Sequence, residues 1–396
     1  MTRPQDYHII ILGGGIVGLS LANLLADSGI KIALIDKKNT FSNAIDDTHY
    51  DIRVSAINRN SENAFRRMNV WHTIEGIRLS PYSAMSVTDK YCDETITFNA
   101  QALGELNLGY IIENNVMLHA LTENLRHRKN IHFITDFNPS TLEITAEKIH
   151  LSAEHGQTLS ALLIIGADGK TSWLRKTSKI DLIQKPYHHT ALVAHIKTSK
   201  PHHQTAFQHF LSEGPLAFLP LSDPYHCSIV WSQTPEQAGK MKLLEEDKFN
   251  ALLAKTFSYQ LGETTLISPR FTFPLHFQHA KHYVNERIAL IGDAAHTIHP
   301  LAGLGLNFGI EDAVCLADSL LNSLKQHRDI GQLKTLRRYE IAQRSKNLIS
   351  LNGVNLIERL FCSEFLPLQF LKKPGIKLLN KFPTLKNCFA RYALGG

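Results

Sequence analysis

The chain is 396 residues long, 43% of its residues are hydrophobic and 20% are charged, and its formal net charge is +6. This length and balance predict a globular protein with two lobes rather than one small domain. The sequence has no apolar run of about 18 residues, no long basic run interleaved with aromatic residues, and no cysteine–histidine spacing of the zinc type. These features argue against a transmembrane helix, a nucleic-acid partner and a metal site.

Two features concern the compartment. The five cysteines lack C-x-x-C spacing, which is typical of reduced thiols inside the cell. The start of the chain, MTRPQDY, is polar and leads directly into an apolar run, so we expect no signal peptide. Both features predict a cytoplasmic protein.

The first informative stretch covers residues 8–36 and has the order strand, glycine-rich turn, helix, strand, acid. Residues 8–12 and 31–35 are apolar and rich in β-branched side chains, which predicts two strands. Residues 16–27 are apolar at helical spacing, and Gly29 is the expected end of that helix. The stretch therefore predicts a βαβ unit whose first turn is rich in glycine.

The glycines of this turn have the G-x-G-x-x-G spacing that suits a diphosphate. Gly13 permits the tight turn, Gly15 lets the diphosphate approach the backbone, and Gly18 lets helix and strand pack closely. The helix N-terminus offers free N–H groups to the phosphates. Asp36 follows the second strand, where a carboxylate accepts hydrogen bonds from ribose hydroxyls, and an acid there favours FAD or NAD over NADP. The alternative is a glycine-rich turn without a ligand.

Two later stretches also lead from a buried strand to a carboxylate. Residues 162–165 are followed by Asp168, and residues 288–291 are followed by Asp293. Because the carboxyl ends of parallel strands line one crevice, we expect both carboxylates there, with Asp293 near a ribityl hydroxyl. A glycine-rich turn then opens a helix predicted over residues 307–321, whose N-terminus would face a flavin ring.

Together the three stretches resemble the class A flavoprotein aromatic hydroxylases, the para-hydroxybenzoate hydroxylase family. The marks of that family are the glycine turn, a D-G segment with Ser172 and Arg175, and a G-D segment. The chain is most similar to the ubiquinone-biosynthesis hydroxylases within it. The closer resemblance is carried by the D-x-R-x-x-A-x-x-x-x-S pattern that begins at Asp51, the G-Y-x-x-E-N segment of residues 109–114, the signature of residues 292–303 and the tail of residues 370–396.

The resemblance implies an α/β fold. A Rossmann-like FAD-binding domain of the para-hydroxybenzoate hydroxylase type would be interleaved with an antiparallel β-sheet substrate domain, followed by a helical C-terminus. Residues 83–98 and 190–229 have strand patterns that fit the substrate domain. We place the FAD-binding domain in residues 1–80, 106–178 and 270–345, the substrate domain in 81–105 and 179–269, and the C-terminal helical region in 346–396.

The resemblance also implies an activity: hydroxylation of the aromatic ring of a polyprenylphenol in ubiquinone biosynthesis. The cofactor would be FAD, with NADPH or NADH as a transient co-substrate and O2 reacting through a flavin C4a-hydroperoxide. Residues 215–221 would line the pocket or form ordinary sheet core. The expected partners are the prenylated phenol, O2, other quinone-biosynthesis enzymes and the membrane surface. The lysine-rich apolar tail, residues 365–391, would contact anionic lipid or pack as a helix with its lysines in water.

Several site residues have alternative interpretations. By resemblance Arg53 contacts the FAD pyrophosphate and Asn114 lies near the cofactor; the alternatives are an exposed arginine at a helix start and a helix N-cap. Ser172 could simply cap a helix, and His296 could be a catalytic base or a structural hydrogen-bonding residue. No catalytic residue and no metal ligand is assigned. The predicted cofactor-binding residues are Gly13, Gly15, Gly18, Asp36, Arg53, Asn114, Asp168, Gly292, Asp293, Pro300, Gly303, Gly305, Leu306 and Asn307.

One position departs from the family pattern, because Leu304 stands where the family usually has glutamine between two glycines. A leucine there would alter flavin mobility or the wall of the substrate site. Two other classes stay open. One is another flavin enzyme on this fold, such as a prenyl-lipid reductase, a hydroxylase of a non-quinone phenol or a halogenase, although Trp71, Trp173 and Trp231 lack the halogenase W-x-W-x-I-P segment. The other is a non-catalytic flavoprotein that scaffolds a quinone-synthesis complex.

Overall fold

A computed structural model of the chain describes residues 5–37, 45, 49–90, 92–297 and 304–362. The predicted site residues Pro300 and Gly303 and the tail from residue 363 onward lie outside the described residues. The helices are α1 (Ile16–Leu25), α2 (Arg59–Arg67), α3 (Trp71–Ile77), α4 (Asn114–Arg126), α5 (Trp173–Thr177), α6 (Pro235–Leu243), α7 (Glu246–Thr256), α8 (Leu304–Lys325) and α9 (Leu333–Cys362).

The strands are numbered in chain order. They are β1 (Gln5–Asp6), β2 (Ile9–Leu12), β3 (Ile32–Ile35), β4 (Val54–Ile57), β5 (Ser80–Tyr82), β6 (Ala84–Asp89), β7 (Cys92–Asn99), β8 (Gly109–Glu113), β9 (Ile131–Ile134), β10 (Pro139–Ile144), β11 (Ile149–Ala153), β12 (Thr158–Ala161), β13 (Leu163–Gly166), β14 (Leu182–Thr198), β15 (Thr205–Leu211), β16 (Gly214–Pro220), β17 (His226–Gln233), β18 (Thr264–Leu266), β19 (Phe271–Ala280), β20 (Val284–Asn285), β21 (Ile288–Leu290) and β22 (His296–Thr297).

A six-stranded sheet in the order β20-β21-β13-β2-β3-β9 carries the predicted motifs. Its strands are parallel except for β20, which pairs antiparallel at the edge. Every residue of β2, β3 and β13 is buried, as expected for strands covered on both faces. The helix α1 connects β2 to β3 and packs against α8. The apolar runs of the sequence therefore become the core of this sheet.

Two predicted helices change their ends in the structure. The helix predicted over residues 16–27 is α1 followed by a 3-10 turn, Ala26–Ser28, and it ends at Gly29 with φ of 76°. This confirms the predicted stop. The helix predicted over residues 307–321 is α8, which begins at Leu304 and ends at Lys325. The prediction was too short because the glycines near its start resembled a turn.

A second sheet has the strand order β22-β19-β14-β17-β16-β15-β6-β7, with β18 also paired to β14. The predicted antiparallel arrangement holds for most pairs, but β15 and β6 are parallel. These two strands are far apart in the chain, so no hairpin turn imposes opposite directions on them. One face of this sheet packs on α6 and α7, where Phe218 stacks on Phe257 with ring centroids 4.2 Å apart.

The opposite face of this sheet is called the inner face. Its members alternate along each strand with the core residues Leu192, Leu216 and Ile229. The predicted pocket segment of residues 215–221 therefore divides, because Leu216 and Phe218 lie in the core and their neighbours lie on the inner face. The inner face includes Ala191, Val193 and His195 on β14, Gln208 on β15, Ala217 and Leu219 on β16, Ser228, Val230 and Ser232 on β17, and Phe271 and Phe273 on β19.

Two smaller sheets complete the described part of the chain. The order β4-β8-β5 forms one, and β1-β12-β11-β10 forms the other. None of the helices that the structure describes combines the length and apolar character needed to cross a bilayer. By hydrogen bonding, β19 and β22 belong to the nine-stranded sheet. The predicted domain boundary near residue 270 stays a prediction.

Candidate cofactor site

The glycine turn between β2 and α1 is shaped by close backbone approach. Gly13 has φ of 111°, and a side chain there would collide with the backbone carbonyl of Ala167. A side chain on Gly18 would collide with the Gly13 carbonyl. In contrast, a Cβ on Gly15 would have no protein atom within 4 Å. Gly13 and Gly18 are therefore required by packing, whereas Gly15 leaves open space at the start of α1.

The N-terminus of α1 is a suitable anion site. Gly15 occupies the N-cap position and offers no side-chain hydrogen bond to the first turn. The first N–H groups and the helix dipole then face the space beside Gly15. The carboxylate of Asp36, directly after β3, accepts a hydrogen bond of 2.7 Å from the Gly14 N–H. The predicted acid thus lies beside the predicted turn.

The D-G segment after β13 is held by its own side chains. Asp168 Oδ2 accepts hydrogen bonds from the backbone N–H groups of Trp173, at 2.7 Å, and Leu174, at 3.3 Å. The Ser172 hydroxyl accepts from the Arg175 N–H at 3.0 Å, so the capping interpretation of Ser172 is confirmed. Asp168 Oδ1 is buried without a hydrogen-bond partner among the described residues.

Arg175 joins the D-G segment to the G-D segment. Its guanidinium is buried and donates to the backbone carbonyls of Ala294 and Lys170, each at 2.7 Å. Burial lowers the pKa of Arg175, and the charge of Asp168 opposes that effect. The two motifs are far apart in the sequence, and this side chain adds a second link between them beside the pairing of β13 with β21.

The carboxylate of Asp293 faces the cleft. Its side chain is exposed to solvent, yet protein surrounds it closely enough that burial raises its pKa. The charges of His296, Arg53 and Lys170 oppose that rise. A carboxylate that is surrounded by protein but open to a cleft is well placed to accept hydrogen bonds from the hydroxyls of a bound ligand.

A buried ion pair supports the G-D turn from behind. His296 Nε2 lies 2.6 Å from Asp312 Oδ2, and both side chains are almost fully buried. The same oxygen accepts the Gly292 N–H at 2.9 Å, and Asn347 donates to the other oxygen at 3.2 Å. Burial lowers the pKa of His296, but the contacts with Asp312 outweigh it and raise the pKa above 6.5. The structure thus favours the structural interpretation of His296.

The D-x-R and E-N segments meet at the antiparallel pair β4–β8. Asp51 lies close to Glu113, which accepts the Asp51 N–H at 2.6 Å and pairs with Arg78 at 2.6 Å. Arg53 is exposed and precedes a strand, so its interpretation as a helix-start arginine was wrong. Arg53 also acts electrostatically on Asp293. The D-x-R segment therefore contacts the E-N segment through Asp51 and lies near the G-D turn through Arg53.

The N-cap interpretation of Asn114 was also wrong. Glu113 occupies the N-cap position of α4, and Asn114 is the first helical residue. The Asn114 side-chain oxygen accepts the Ser55 hydroxyl at 2.8 Å instead of a helix N–H group. The reason is that β4 runs beside β8, so a strand hydroxyl is closer than the helix backbone.

The start of α8 is joined to the same segment. Asn307 is buried, donates to the Ala56 carbonyl at 2.8 Å and accepts the Asn58 N–H at 3.0 Å. Leu306 is partly buried against the core. A side chain on Gly305 would have no protein atom within 4 Å. The open side of α8 at Gly305 is thus a second place where a ligand could approach the backbone.

Sequence reasoning missed several residues that shape the site. Asp312, Arg78 and Glu113 hold the turns through long-range contacts, and His195 reaches the Asp51 carbonyl from the inner face. Glu113 belongs to the G-Y-x-x-E-N segment, but the sequence does not show its contacts with Asp51 and Arg78. No local signal identifies the other three, because each is defined by a partner on a distant element. The alternation of β14 could have placed His195 opposite the core residues, but not beside Asp51.

The order of the carboxyl ends gives the shape of the ligand. Asp36 follows β3, the glycine turn follows β2, Asp168 follows β13 and Asp293 follows β21, which are consecutive neighbours in the sheet. With about 4.8 Å between neighbouring strands, Asp36 and Asp293 lie at ends about 14 Å apart. The open space at Gly15 lies between them. This spacing fits an extended dinucleotide with hydroxyl groups at each end, and it places the protein among the dinucleotide-binding α/β proteins.

Comparisons with known proteins agree. Residues 6–347 match the family described as FAD binding domain. The ubiquinone hydroxylase UbiL of Rhodospirillum rubrum is 31% identical over 98% of this chain and 89% of its own length. The 3-demethoxyubiquinol 3-hydroxylase of Escherichia coli is 31% identical over 99% of each chain. The structure of p-nitrophenol 4-monooxygenase PnpA from Pseudomonas putida superposes with a TM-score of 0.80 over 100% of this chain and 99% of that one, at 16% identity.

The chain belongs to the family of FAD-dependent aromatic hydroxylases that includes the ubiquinone-biosynthesis hydroxylases. The match extends over almost the whole chain, which also confirms the α/β fold expected from the three motifs.

Proposed function

We propose that this protein hydroxylates the aromatic ring of a polyprenylphenol intermediate of ubiquinone biosynthesis, using NAD(P)H and O2. The observation that carries the proposal is the near-complete match to two quinone-pathway hydroxylases. The geometry of the cleft supports it. The domain division predicted above, with the cofactor and the substrate on separate sheets, is part of this proposal.

The proposed FAD site follows the order of the strand ends. Asp36 would bind the adenosine ribose, the turn from Gly13 to Gly18 would hold the diphosphate, and Asp293 would bind the ribityl chain. Arg53, exposed beside Asp293, would neutralise phosphate charge. The remaining candidates are Asn114, Asp168, Gly292, Gly305, Leu306 and Asn307; Pro300 and Gly303 stay predictions outside the described residues.

When bound, the flavin supplies hydride acceptance from NAD(P)H and activation of O2. The protein contributes binding, orientation and exclusion of water. The buried pair of His296 and Asp312 keeps the Asp293 turn in place through the Gly292 N–H. The start of α8 at Gly305 would offer N–H groups to the flavin, where they would stabilise negative charge.

The inner face supplies an apolar surface for a prenyl tail. Val193, Val230 and Ala217 lie in one row across β14, β17 and β16, and all three are half-buried. Phe271 continues the row on β19 and is 40% exposed. A row of four strands extends about 14 Å, which is long enough for several isoprene units. Apolar side chains open to a cleft are typical of a site for an apolar ligand.

The test uses the purified protein with its FAD. NADPH or NADH, a prenylated phenol and isotopically heavy O2 are added, and the product is analysed by mass spectrometry. We expect phenol-dependent consumption of NAD(P)H and one heavy oxygen atom on the ring. A protein that binds FAD but transfers no oxygen to any prenylated phenol would favour the alternative of a non-catalytic scaffold. Equal turnover of phenols with and without a tail would indicate a different substrate class.

We also propose that the protein visits the membrane surface, where its substrate resides, from the cytoplasmic side. The basic and apolar composition of residues 365–391 supports this proposal. Other quinone-biosynthesis enzymes are the expected neighbours there. Co-sedimentation with vesicles of anionic lipid, compared with neutral vesicles, tests the membrane contact.

A further inference from the structure

One histidine of the inner face has a ring nitrogen without a hydrogen-bond partner among the residues that the structure describes. His195 lies on β14 and is only 2% exposed, although its strand neighbours Ala194 and Ile196 point into the core on the other side. Directly across the strand pair stands Ser228, which is fully buried. Opposite residues of neighbouring strands have Cβ atoms about 5 Å apart. The two side chains therefore form a polar pair on this face.

The hydrogen bond of His195 determines which of its ring nitrogens carries the proton. His195 Nε2 lies 3.0 Å from the carbonyl oxygen of Asp51. A carbonyl oxygen only accepts, so Nε2 carries the hydrogen. Burial lowers the pKa of His195 below 6.5, the charge of His226 adds to this, and Asp51 opposes it. The ring is then neutral at pH 7, which leaves Nδ1 as a hydrogen-bond acceptor.

Both members of the pair lack a partner for a buried polar atom. Within the part of the chain that the structure describes, neither His195 Nδ1 nor the Ser228 hydroxyl makes a hydrogen bond. A buried polar atom without a partner costs about 1–3 kcal/mol, so two at adjacent positions indicate a place for a ligand. A hydroxyl group fits this pair, because it can donate to Nδ1 and accept from the serine.

The position is connected to the cofactor side of the cleft. Asp51, which His195 contacts, is two residues from Arg53, and Arg53 acts electrostatically on Asp293. The other polar rings nearby belong to Tyr50 and His226. The Tyr50 ring centroid lies 6.0 Å from that of His195 and 6.0 Å from that of His226. Arg78 lies over the Tyr50 ring at 4.7 Å. Among these groups, the Asp51 carboxylate and the His226 ring act electrostatically on His195 in opposite directions.

We propose that His195 Nδ1 accepts the proton of the substrate's phenolic hydroxyl while the Ser228 hydroxyl donates to the same oxygen. This inference rests on the proposed function and adds a base to it. The phenol O–H bond breaks, an N–H bond forms at Nδ1, and the electron pair stays on the phenol oxygen. Nε2 keeps its hydrogen bond to Asp51, so the imidazolium is stabilised. When the phenol ring donates electron density to the incoming oxygen atom, the hydroxyl group of the phenol becomes strongly acidic. A neutral imidazole is then a sufficient base.

Substitutions of His195 separate its two roles, which are proton acceptance at Nδ1 and the hydrogen bond from Nε2 to the Asp51 carbonyl. His195→Gln keeps an N–H group near the Nε2 position for the Asp51 carbonyl but removes the Nδ1 acceptor, whereas His195→Ala removes both. We expect His195→Gln to retain FAD and NAD(P)H-dependent flavin reduction but to lose about 10²-fold in hydroxylation rate. The matched control is His209→Gln. His209 lies on the other face of the same sheet, bound to Thr88 and beside Phe257, and we expect it to retain the hydroxylation rate.

Substrate acidity supplies a readout that a purely structural role would not change. Ring-fluorinated phenols release their proton more easily, so the deficit of His195→Gln should shrink at least tenfold with them. Ser228→Ala should raise KM for the phenol about tenfold. In the wild type the hydroxylation rate should fall only below pH 6.5, as the pH falls through the lowered pKa of His195 and the acceptor is protonated. This acid limb should be absent in His195→Gln.

The outcomes distinguish this inference from the proposed function. If the wild type transfers no oxygen to a prenylated phenol, the proposed function is wrong and the base has no reaction to serve. If the wild type is active and His195→Gln equals it, the assignment of the base is overturned. The same conclusion follows if the His195→Gln deficit is identical for phenols of all acidities, because an anchor alone would then explain it.

Discussion

The six-stranded sheet and the inner face of the nine-stranded sheet use their side chains differently. In the first, all residues of β2, β3 and β13 are buried, and the site lies at the strand ends, where backbone groups and a few carboxylates meet. In the second, alternate residues of each strand form the surface that we propose as the substrate site. Backbone sites tolerate no side chain at particular glycines, whereas surface sites depend on which side chains face one another. Substitution of the closely packed glycines should therefore lower stability, whereas substitution on the inner face should change substrate specificity.

The largest expected effect concerns the support behind the six-stranded sheet. Asp312→Ala leaves His296 buried without its partner and the Gly292 N–H without an acceptor. Breaking one side of a buried ion pair costs about 3–5 kcal/mol. Urea unfolding of the apoprotein measures this change. A loss below about 1 kcal/mol would show that the G-D turn does not depend on this pair.

The same pair should give the stability a pH dependence. The pKa of His296 is raised in the folded protein, so its contribution is fully present below pH 6.5 and is lost as the pH rises through the raised pKa. The difference in unfolding free energy between the wild type and Asp312→Asn should therefore shrink above pH 6.5. Unfolding curves at several pH values test it, and a gap that grows with pH would contradict it.

A pair of glycine variants separates folding from cofactor binding. Gly13→Ala places a methyl group against the Ala167 carbonyl at a positive φ and should destabilise the apoprotein by about 3 kcal/mol. Gly15→Ala meets no protein atom and should change apoprotein stability by less than about 1 kcal/mol, yet lower FAD affinity because the methyl group points into the proposed diphosphate site. Equal effects of both on the apoprotein would refute this distinction.

A smaller effect is expected on the inner face. Val230→Thr keeps the shape of the side chain but adds a hydroxyl to the proposed tail surface. Burying that hydroxyl beneath a prenyl chain should lower kcat/KM about tenfold for a long-tailed phenol, with little change for a phenol without a tail. The ratio of the two kcat/KM values is the measurement. An equal loss for both substrates would place the tail elsewhere.

The smallest effect is expected at the protein surface. Asp318 lies on α8, like Asp312, but its side chain is 54% exposed and pairs with Arg67, which is 43% exposed. Asp318→Ala should therefore cost less than about 1 kcal/mol. It is also the matched control for Asp312→Ala, because it removes the same group from the same helix. A comparable loss in both variants would mean that α8 itself is weakened.

Much of the cofactor side could be predicted from the sequence. The positions of Gly13, Asp36 and Asp293 follow from local patterns, because a strand end, a glycine turn and an acid are neighbours in the chain. The roles of Asn114 and Arg53 could not be derived in the same way. Asn114 contacts Ser55 only because β4 pairs with β8, and Arg53 acts on Asp293 from a segment that is distant in the chain.

The sequence by itself determined the class of fold, the four strands β2, β3, β13 and β21 of the six-stranded sheet, and the turns that would hold a dinucleotide. The physical reason is that these features depend on apolar periodicity and on glycine conformations, which are local. Tertiary structure decided that Asp312 supports Gly292, that β15 and β6 run parallel and that His195 stands opposite Ser228. These depend on strand register and on contacts between distant elements, and register is set by burial of one whole face rather than by any single segment.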